Sequence, residues 1–115
     1  MTRPTNTTIA IALGTSPQDG ASVAALRLAE EAVDRGHRVA IYAYGDGVRI
    51  GSEGSLTGCY VEGLLRRGVH GGRASFVVDA ADPRAGCQVA GVVAGDGSDL
   101  WRFVRDSDIV LGVTV

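Results

Sequence analysis

Two aspartates and a cysteine follow the apolar run FVV in the segment 76–87, FVVDAADPRAGC. Asp79 comes directly after the run, Asp82 follows three residues later, and Cys87 stands further along the segment. Carboxylates act as general acids or bases and as magnesium ligands, whereas a thiolate is a nucleophile. The segment therefore offers three kinds of chemistry, and the elements around it decide among them.

Cys87 is the candidate nucleophile of this segment. Asp82-Pro83 is typical of a helix N-cap followed by proline at the first helical position, so we expect a short helix that carries Cys87 in its second turn. Arg84 lies three residues before Cys87 and on the same side of such a helix, where its charge could stabilise a thiolate. The alternative, which is commoner for an isolated cysteine, is that Cys87 packs as a small inert hydrophobe.

The carboxylates of Asp79 and Asp82 allow a second interpretation, a paired site for acid/base chemistry or for magnesium. We favour a local structural role, in which Asp82 caps the helix and Asp79 accepts hydrogen bonds from loop amides. Asp46, in the sequence Gly-Asp-Gly, ends another predicted strand. It is either a turn residue or a polar residue that lines a pocket.

The loop GTSPQDGAS (residues 14–22) places Thr15 and Ser16 between a predicted strand and a predicted helix. In outline it is similar to an anion-binding loop, because the free amides at a helix amino terminus attract negative groups. It contains neither G-x-G-x-x-G nor a Walker A sequence, so we predict no nucleotide or other cofactor. Ordinary turn chemistry is the competing interpretation.

The remaining cysteine and the histidines add little. Cys59 begins a predicted helix, and its pairing with Cys87 would depend on a distance that the sequence does not provide. His37 follows a helix end, and His70 lies in the glycine-containing turn 68–72. Neither histidine has a cysteine or carboxylate at ligand spacing, so no metal site is predicted.

Composition bounds the class of protein. The 115 residues fit one domain, 1–115, with 45% hydrophobic and 21% charged residues, as in an ordinary globular protein. A net charge of −2 and a pI near 5.6 favour neither nucleic acid nor a membrane surface as a partner. The opening MTRPTNTT lacks a signal-peptide core, so we expect a cytoplasmic protein whose two cysteines stay reduced.

Alternating strand and helix patterns must position these residues. Hydrophobic periodicity predicts strands and helices in turn, with the final helix opened by Ser98 or Asp99. The predicted strands are 8–13, 39–44, 74–78 and 109–113, and the predicted helices are 21–35, 56–67 and 100–104. A β-α-β order makes the strands parallel, so their carboxyl ends share one edge. The segment 45–58, with five glycines, is predicted to be a long mobile loop at that edge, where ligands of such sheets bind.

Three stretches of the sequence are informative together: LGTSP (13–17), AALRLAEEAVDRGHRVAIYAYGDGV (24–48), and GVVAG (91–95) followed by LWRFVRDSDIVLGV. In their order and spacing they resemble the DsrE/DsrF-like family, which includes the Tus sulfur carriers. The resemblance implies a flavodoxin-like, three-layer α/β/α fold with a mainly parallel sheet of about five strands. It also implies a homo-oligomer that works with a sulfur-relay partner protein.

The resemblance also implies that a cysteine just after the third main strand receives sulfur as a persulfide. Here that position falls at or next to Asp79, and Asp82 stands where some family members have another cysteine. A carboxylate cannot hold transferable sulfane sulfur. Either Cys87 has become the acceptor, which would make the chain at most a sulfurtransferase-like carrier, or the chain is a non-catalytic structural or regulatory subunit. A carboxylate enzyme that uses Asp46, Asp79 and Asp82 is a third possibility.

Overall fold

Strands and helices alternate along the chain as the periodicity predicts. The computed structural model describes residues 7–67 and 72–114. The strands are β1 (Thr8–Leu13), β2 (Arg38–Ala43), β3 (Arg73–Asp79), β4 (Val93–Gly95) and β5 (Ile109–Val113). Within the described residues the α-helices are α1 (Gly20–Asp34), α2 (Leu56–Arg66) and α3 (Gly97–Asp106), and Gly45–Arg49 and Pro83–Ala85 form 3-10 helices.

The five strands form one sheet in the order β4-β3-β2-β1-β5, and every neighbouring pair is parallel. This confirms the predicted fold class, a flavodoxin-like α/β arrangement with a parallel sheet of about five strands. β4 is the strand that the periodicity did not place. It has only three residues and lies at the edge of the sheet, so it lacks the apolar run of a central strand.

The two faces of the sheet have different coverings. Helices α1 and α2 pack on one face, which we call the inner face, and its core includes Ile11, Ile41 and Phe76. Helix α3 lies on the opposite, outer face, where it contacts β1 and β2, and none of its residues is buried. In the part of the chain that the structure describes, no helix is long and apolar enough to cross a membrane.

Each α-helix begins at a polar cap. The Asp19 carboxylate accepts a hydrogen bond from the Ala21 amide at 2.9 Å, so Asp19 is the N-cap of α1. Ser22 lies inside the helix and is buried. Helix α3 begins with a capping box formed by Asp96 and Asp99, and its N-cap Asp96 precedes both predicted opening residues, Ser98 and Asp99. The caps satisfy amides that have no partner within the helix.

The segment 45–58 is not the open loop that its glycines predicted. It folds into the first 3-10 helix and inserts Val48 and Ile50 into the core, where both are fully buried. Gly47 is required for this approach, because a Cβ atom there would lie 2.1 Å from the Leu13 carbonyl oxygen. The glycines therefore permit close packing of backbone on backbone beneath the carboxyl edge.

Candidate functional site

The predicted site residues collect at the carboxyl edge of the sheet, where β1, β2 and β3 end. Thr15 and Ser16 follow β1, Asp46 follows β2, and Asp79 is the last residue of β3. Parallel strands in register bring these loops together, as the sequence predicted.

The Thr15 hydroxyl in the loop after β1 is buried and hydrogen-bonded within the protein. Thr15 and Ser22 are both fully buried, and their hydroxyl oxygens lie 2.6 Å apart. The Ser22 hydroxyl donates to the Ser16 carbonyl oxygen at 2.6 Å, so the proton between the two hydroxyls belongs to Thr15. Thr15 thus joins β1 to α1, and its hydroxyl is withdrawn from any ligand at the surface.

The carboxylates of Asp79 and Asp82 have the local roles that the sequence analysis favoured. Asp79 Oδ1 accepts a hydrogen bond from the Ala81 amide at 3.1 Å. Asp82 Oδ1 accepts one from the Arg84 amide at 2.9 Å and caps the 3-10 helix that begins at Pro83. The predicted capping role of Asp82 and the predicted hydrogen bond of Asp79 with a loop amide are both confirmed.

The short helix after Asp82 ends too early to carry Cys87, so the prediction of Cys87 in a second helical turn is wrong. The helix consists only of Pro83–Ala85. Gly86 follows with a φ of +53°, a left-handed conformation that turns the chain away. Cys87 therefore lies beyond the end of this helix and not in a second turn of it.

Arg84 contacts two carboxylates from different loops. Its Nε and Nη2 atoms donate to the two oxygens of Asp82 at 3.0 and 2.8 Å, and its Nη1 atom donates to Asp46 Oδ1 at 2.7 Å. We call this group the arginine clasp. It joins the loop after β2 to the loop after β3. The sequence analysis predicted that the Arg84 guanidinium could stabilise a Cys87 thiolate, but here the guanidinium binds Asp82 and Asp46.

The arginine clasp perturbs the ionisation of its members. Hydrogen bonds from the Arg84 side chain and then from its amide lower the pKa of Asp82 to about 2. The hydrogen bonds to Asp82 and Asp46 raise the pKa of Arg84 above its ordinary value. Both groups stay charged at neutral pH, so the clasp is an ion pair and not an acid/base pair.

Cys87 lies on a strap, residues 86–90, that pairs with the segment 51–53. The Cys87 carbonyl oxygen accepts a hydrogen bond from the Glu53 amide at 2.9 Å, and the Val89 amide donates to the Gly51 carbonyl at 2.8 Å. The Gln88 side chain donates to the Val48 carbonyl at 2.9 Å and also to that of Ala85. The backbone of the strap is thus fixed while the thiol of Cys87 is free and its residue exposed.

Cys59 is the second exposed free cysteine, in the first turn of α2. His37 Nδ1 accepts a hydrogen bond from the Thr7 amide at 3.3 Å, which gives this histidine a structural partner. The prediction about His70 falls outside the described residues. In residues 7–67 and 72–114, no group of three or more His, Cys, Asp or Glu residues could hold a metal ion.

The sequence analysis missed an acidic cluster around Tyr42 on the outer face. Burial raises the pKa of the Tyr42 phenol, and the charges of Asp79, Asp96 and Asp99 raise it further. Tyr42 also stacks on Tyr44, with ring centroids 6.4 Å apart. Two features of the sequence could have predicted this cluster. Tyr42 alternates along β2 with the inner-face residues Ile41 and Ala43, and Asp96 begins a helix-capping sequence, so both lie at the carboxyl end of the outer face.

A five-stranded parallel sheet with, among the described residues, two α-helices on one face and one on the other defines a flavodoxin-like α/β fold. Among solved structures, the chain is similar to the crystal structure of YchN from E. coli, a DsrE/DsrF-like family protein. The TM-score is 0.61 at 17% sequence identity, over 92% of this chain and 98% of YchN. The similarity confirms the fold that the sequence resemblance implied.

No protein-family model matches the sequence, and no curated protein matches it either. The comparison with YchN, at its low identity, therefore describes the fold alone.

Proposed function

We propose that this chain takes part in intracellular sulfur transfer as a sulfur carrier, with Cys87 as the acceptor. The observation that supports the proposal is the exposed free thiol of Cys87 on a fixed strap beside the carboxyl edge of a DsrE-like fold. Ligands of open parallel sheets bind at this edge. Asp79, which the sequence resemblance puts at or next to the position of the family's cysteine, accepts a hydrogen bond from the Ala81 amide.

The transfer step requires a persulfide donor protein or small molecule. The Cys87 thiolate attacks the terminal sulfane sulfur of the donor, a sulfur–sulfur bond forms on Cys87, and the donor's own sulfur–sulfur bond breaks. The donor leaves as a thiolate, and Cys87 carries a persulfide until an acceptor thiolate repeats the exchange. Attack needs an accessible thiolate, which agrees with the exposure of Cys87.

The surroundings of Cys87 suggest a carrier and not an enzyme with an activated thiol. Arg84 is held by Asp82 and Asp46, so its charge is already compensated. The thiol also lies beyond the 3-10 helix. A partner protein that docks against the strap would have to supply any further stabilisation of the thiolate.

Intact-mass spectrometry after incubation with a small-molecule persulfide donor tests the proposal. We expect a mass gain of about one sulfur atom in the wild type and in Cys59→Ala, and none in Cys87→Ala. Cys59 is the matched control, because it is also exposed and free. A gain that persists in Cys87→Ala, or no gain in any variant, would contradict Cys87 as the acceptor.

A second candidate function is a non-catalytic structural or regulatory subunit of a homo-oligomer. It is favoured by large apolar side chains that lie exposed on α3 and on the edge strands: Val93, Trp101, Ile109 and Val110. Edge strands and exposed apolar side chains of this kind are covered in stable assemblies. On this view Cys87→Ala leaves the oligomer intact and sulfur loading does not occur.

Both candidates suit a reducing compartment such as the cytoplasm, because Cys59 and Cys87 are both exposed as free thiols. Size-exclusion chromatography with light scattering measures the subunit number, and a monomer at all concentrations would contradict the oligomer.

A further inference from the structure

An open pocket of about 320 Å³ lies at the amino edge of the sheet, at the opposite end of the strands from Cys87. Its lining includes Arg38 and Arg73 together with Thr8, Ala40 and Ser75. Side chains alternate between the two faces along a strand, and Val39 and Phe76 belong to the inner core. The five residues named above therefore lie on the outer face. Helix α3, which contacts β1 and β2, leaves this part of the outer face open.

The two arginines of this pocket stand directly opposite each other. Arg38 is the first residue of β2 and Arg73 the first residue of β3, and they are partners in the register of the parallel pair. Thr8 is the partner of Arg38 on β1, and Ser75 is the partner of Ala40 one row further along. Like charges opposite each other on one face of a sheet are destabilising unless a counter-charge lies between them.

The described part of the chain provides little counter-charge here. Neither Arg38 nor Arg73 forms an ion pair with any described residue. Asp108 lies beside Thr8 at the same end of the sheet, and its Oδ2 accepts a hydrogen bond from the Thr8 amide at 2.9 Å. Asp108 forms no ion pair with either arginine, so no salt bridge within the described residues neutralises the charges of Arg38 and Arg73.

We propose that this pocket binds a small molecule through a tetrahedral oxyanion, a phosphate or a sulfate group. Guanidinium groups bind such oxyanions with paired hydrogen bonds, and two of them from adjacent strands can hold one oxyanion between them. The hydroxyls of Thr8 and Ser75 supply further donors at the same wall. The pocket is larger than a single oxyanion, so it has room for an organic group against Ala40.

Thermal unfolding and calorimetry with inorganic phosphate, pyrophosphate and sulfate test the site, at ionic strength held constant with chloride. We expect a saturable rise in Tm, about 5 °C or more at a hundredfold excess over Kd. Arg38→Gln and Arg73→Gln should each weaken binding at least about tenfold, the loss expected for a charged hydrogen bond. The phosphate and sulfate arms show which oxyanion the pocket prefers.

Arg35→Gln is the matched control, because it removes the same charge from a neighbouring position where Arg35 pairs with Glu31 on the surface of α1. It should leave oxyanion binding unchanged. Without oxyanion and at low salt, Arg38→Gln should keep or raise Tm, since it relieves the repulsion by Arg73. An equal response of all three variants to phosphate, or a response that chloride reproduces, would overturn the site. The site would also be overturned if Arg38→Gln and Arg73→Gln changed the number of subunits and left oxyanion binding unchanged.

Discussion

The inner and outer faces of the sheet differ in how completely they are covered. On the inner face, α1, α2 and the 3-10 segment with Val48 and Ile50 enclose one continuous apolar core. On the outer face, α3 buries none of its residues, and Trp101 remains 72% exposed. The inner face therefore accounts for the stability of the fold, and the outer face is the one left for binding.

The same contrast separates the two ends of the strands. At the carboxyl edge, the charged side chains pair with each other, as Arg84 does with Asp82 and Asp46. At the amino edge of the outer face, Arg38 and Arg73 face each other with no ion-pair partner among the described residues. The first arrangement holds loops together, and the second is suited to an external anion.

The inner face should be the more sensitive one to loss of a large side chain. Phe76 is 1% exposed and lies in the inner core, so Phe76→Ala should lower the free energy of unfolding by about 3–5 kcal/mol. Urea unfolding measures this change. Val93→Ala on the outer side of β4, where Val93 is 58% exposed, is the control and should stay within about 0.5 kcal/mol. Similar losses for both variants would contradict the contrast between the faces.

A smaller effect is expected where α1 joins β1. Ser22→Ala removes the acceptor of the Thr15 hydroxyl and leaves the buried Thr15 Oγ1 without a partner, whereas the Ser16 carbonyl keeps its hydrogen bond from the Asp19 amide. The expected loss is about 1–3 kcal/mol in urea unfolding. The double variant Thr15→Val, Ser22→Ala should cost less than the sum of the single variants, since it removes both hydroxyls. Strict additivity would show that the two hydroxyls do not act as a pair.

The fold was predictable because most of its elements carry a strong periodic signal. The strands at 8–13 and 109–113 were placed at their observed bounds, and α1 was placed within one residue at each end. The strand β4 was missed because three residues at an edge carry no periodicity. The segment 45–58 was misjudged, because its glycines serve close packing, as at Gly47, and not mobility.

The candidate site was predictable only where its bonds are local. Asp79 and Asp82 accept from amides two residues ahead, and such turns are set by the nearby sequence. The hydrogen bond from Arg84 to Asp46 joins residues 38 positions apart in the sequence. The hydrogen bond between Cys87 and Glu53 likewise joins segments that are distant in the sequence. The sequence pattern could not supply these contacts, because they depend on how the loops pack after the sheet forms.

The arginine clasp at the carboxyl edge should be sensitive to pH. The pKa of Asp82 is lowered from 3.8 to about 2, because Arg84 binds the ionised form. The stability that this pair contributes is therefore complete above about pH 4 and is lost as the pH falls towards about 2. Asp82→Asn keeps a capping side chain and removes the charge. We expect it to lower the urea midpoint at about pH 6 and to match the wild type at about pH 2.

The matched control for the clasp is Asp46→Asn, which removes the other carboxylate that binds Arg84 and leaves the cap of the 3-10 helix intact. At about pH 6 it should lower the urea midpoint by less than Asp82→Asn does, because Asp46 forms one hydrogen bond with Arg84 and Asp82 forms two with its side chain. A deficit of Asp82→Asn that is equal at both pH values would show that the ion pair adds no stability.

Substitution of Trp101 should have the smallest effect on stability. Its effect on assembly tests whether the outer face is an interface. Because this side chain is 72% exposed on α3, Trp101→Ala should change the free energy of unfolding of the isolated chain by no more than about 0.5 kcal/mol. If the outer face is an interface between copies, the substitution should shift the oligomer towards smaller species in light scattering, since large aromatic residues contribute most at interfaces. Arg105→Ala is the control, because Arg105 lies one turn further along α3 and its side chain is 71% exposed. A loss of assembly with Trp101→Ala alone would assign the contact to the apolar surface of α3, whereas an unchanged oligomer would leave the outer face free for the anion at Arg38 and Arg73.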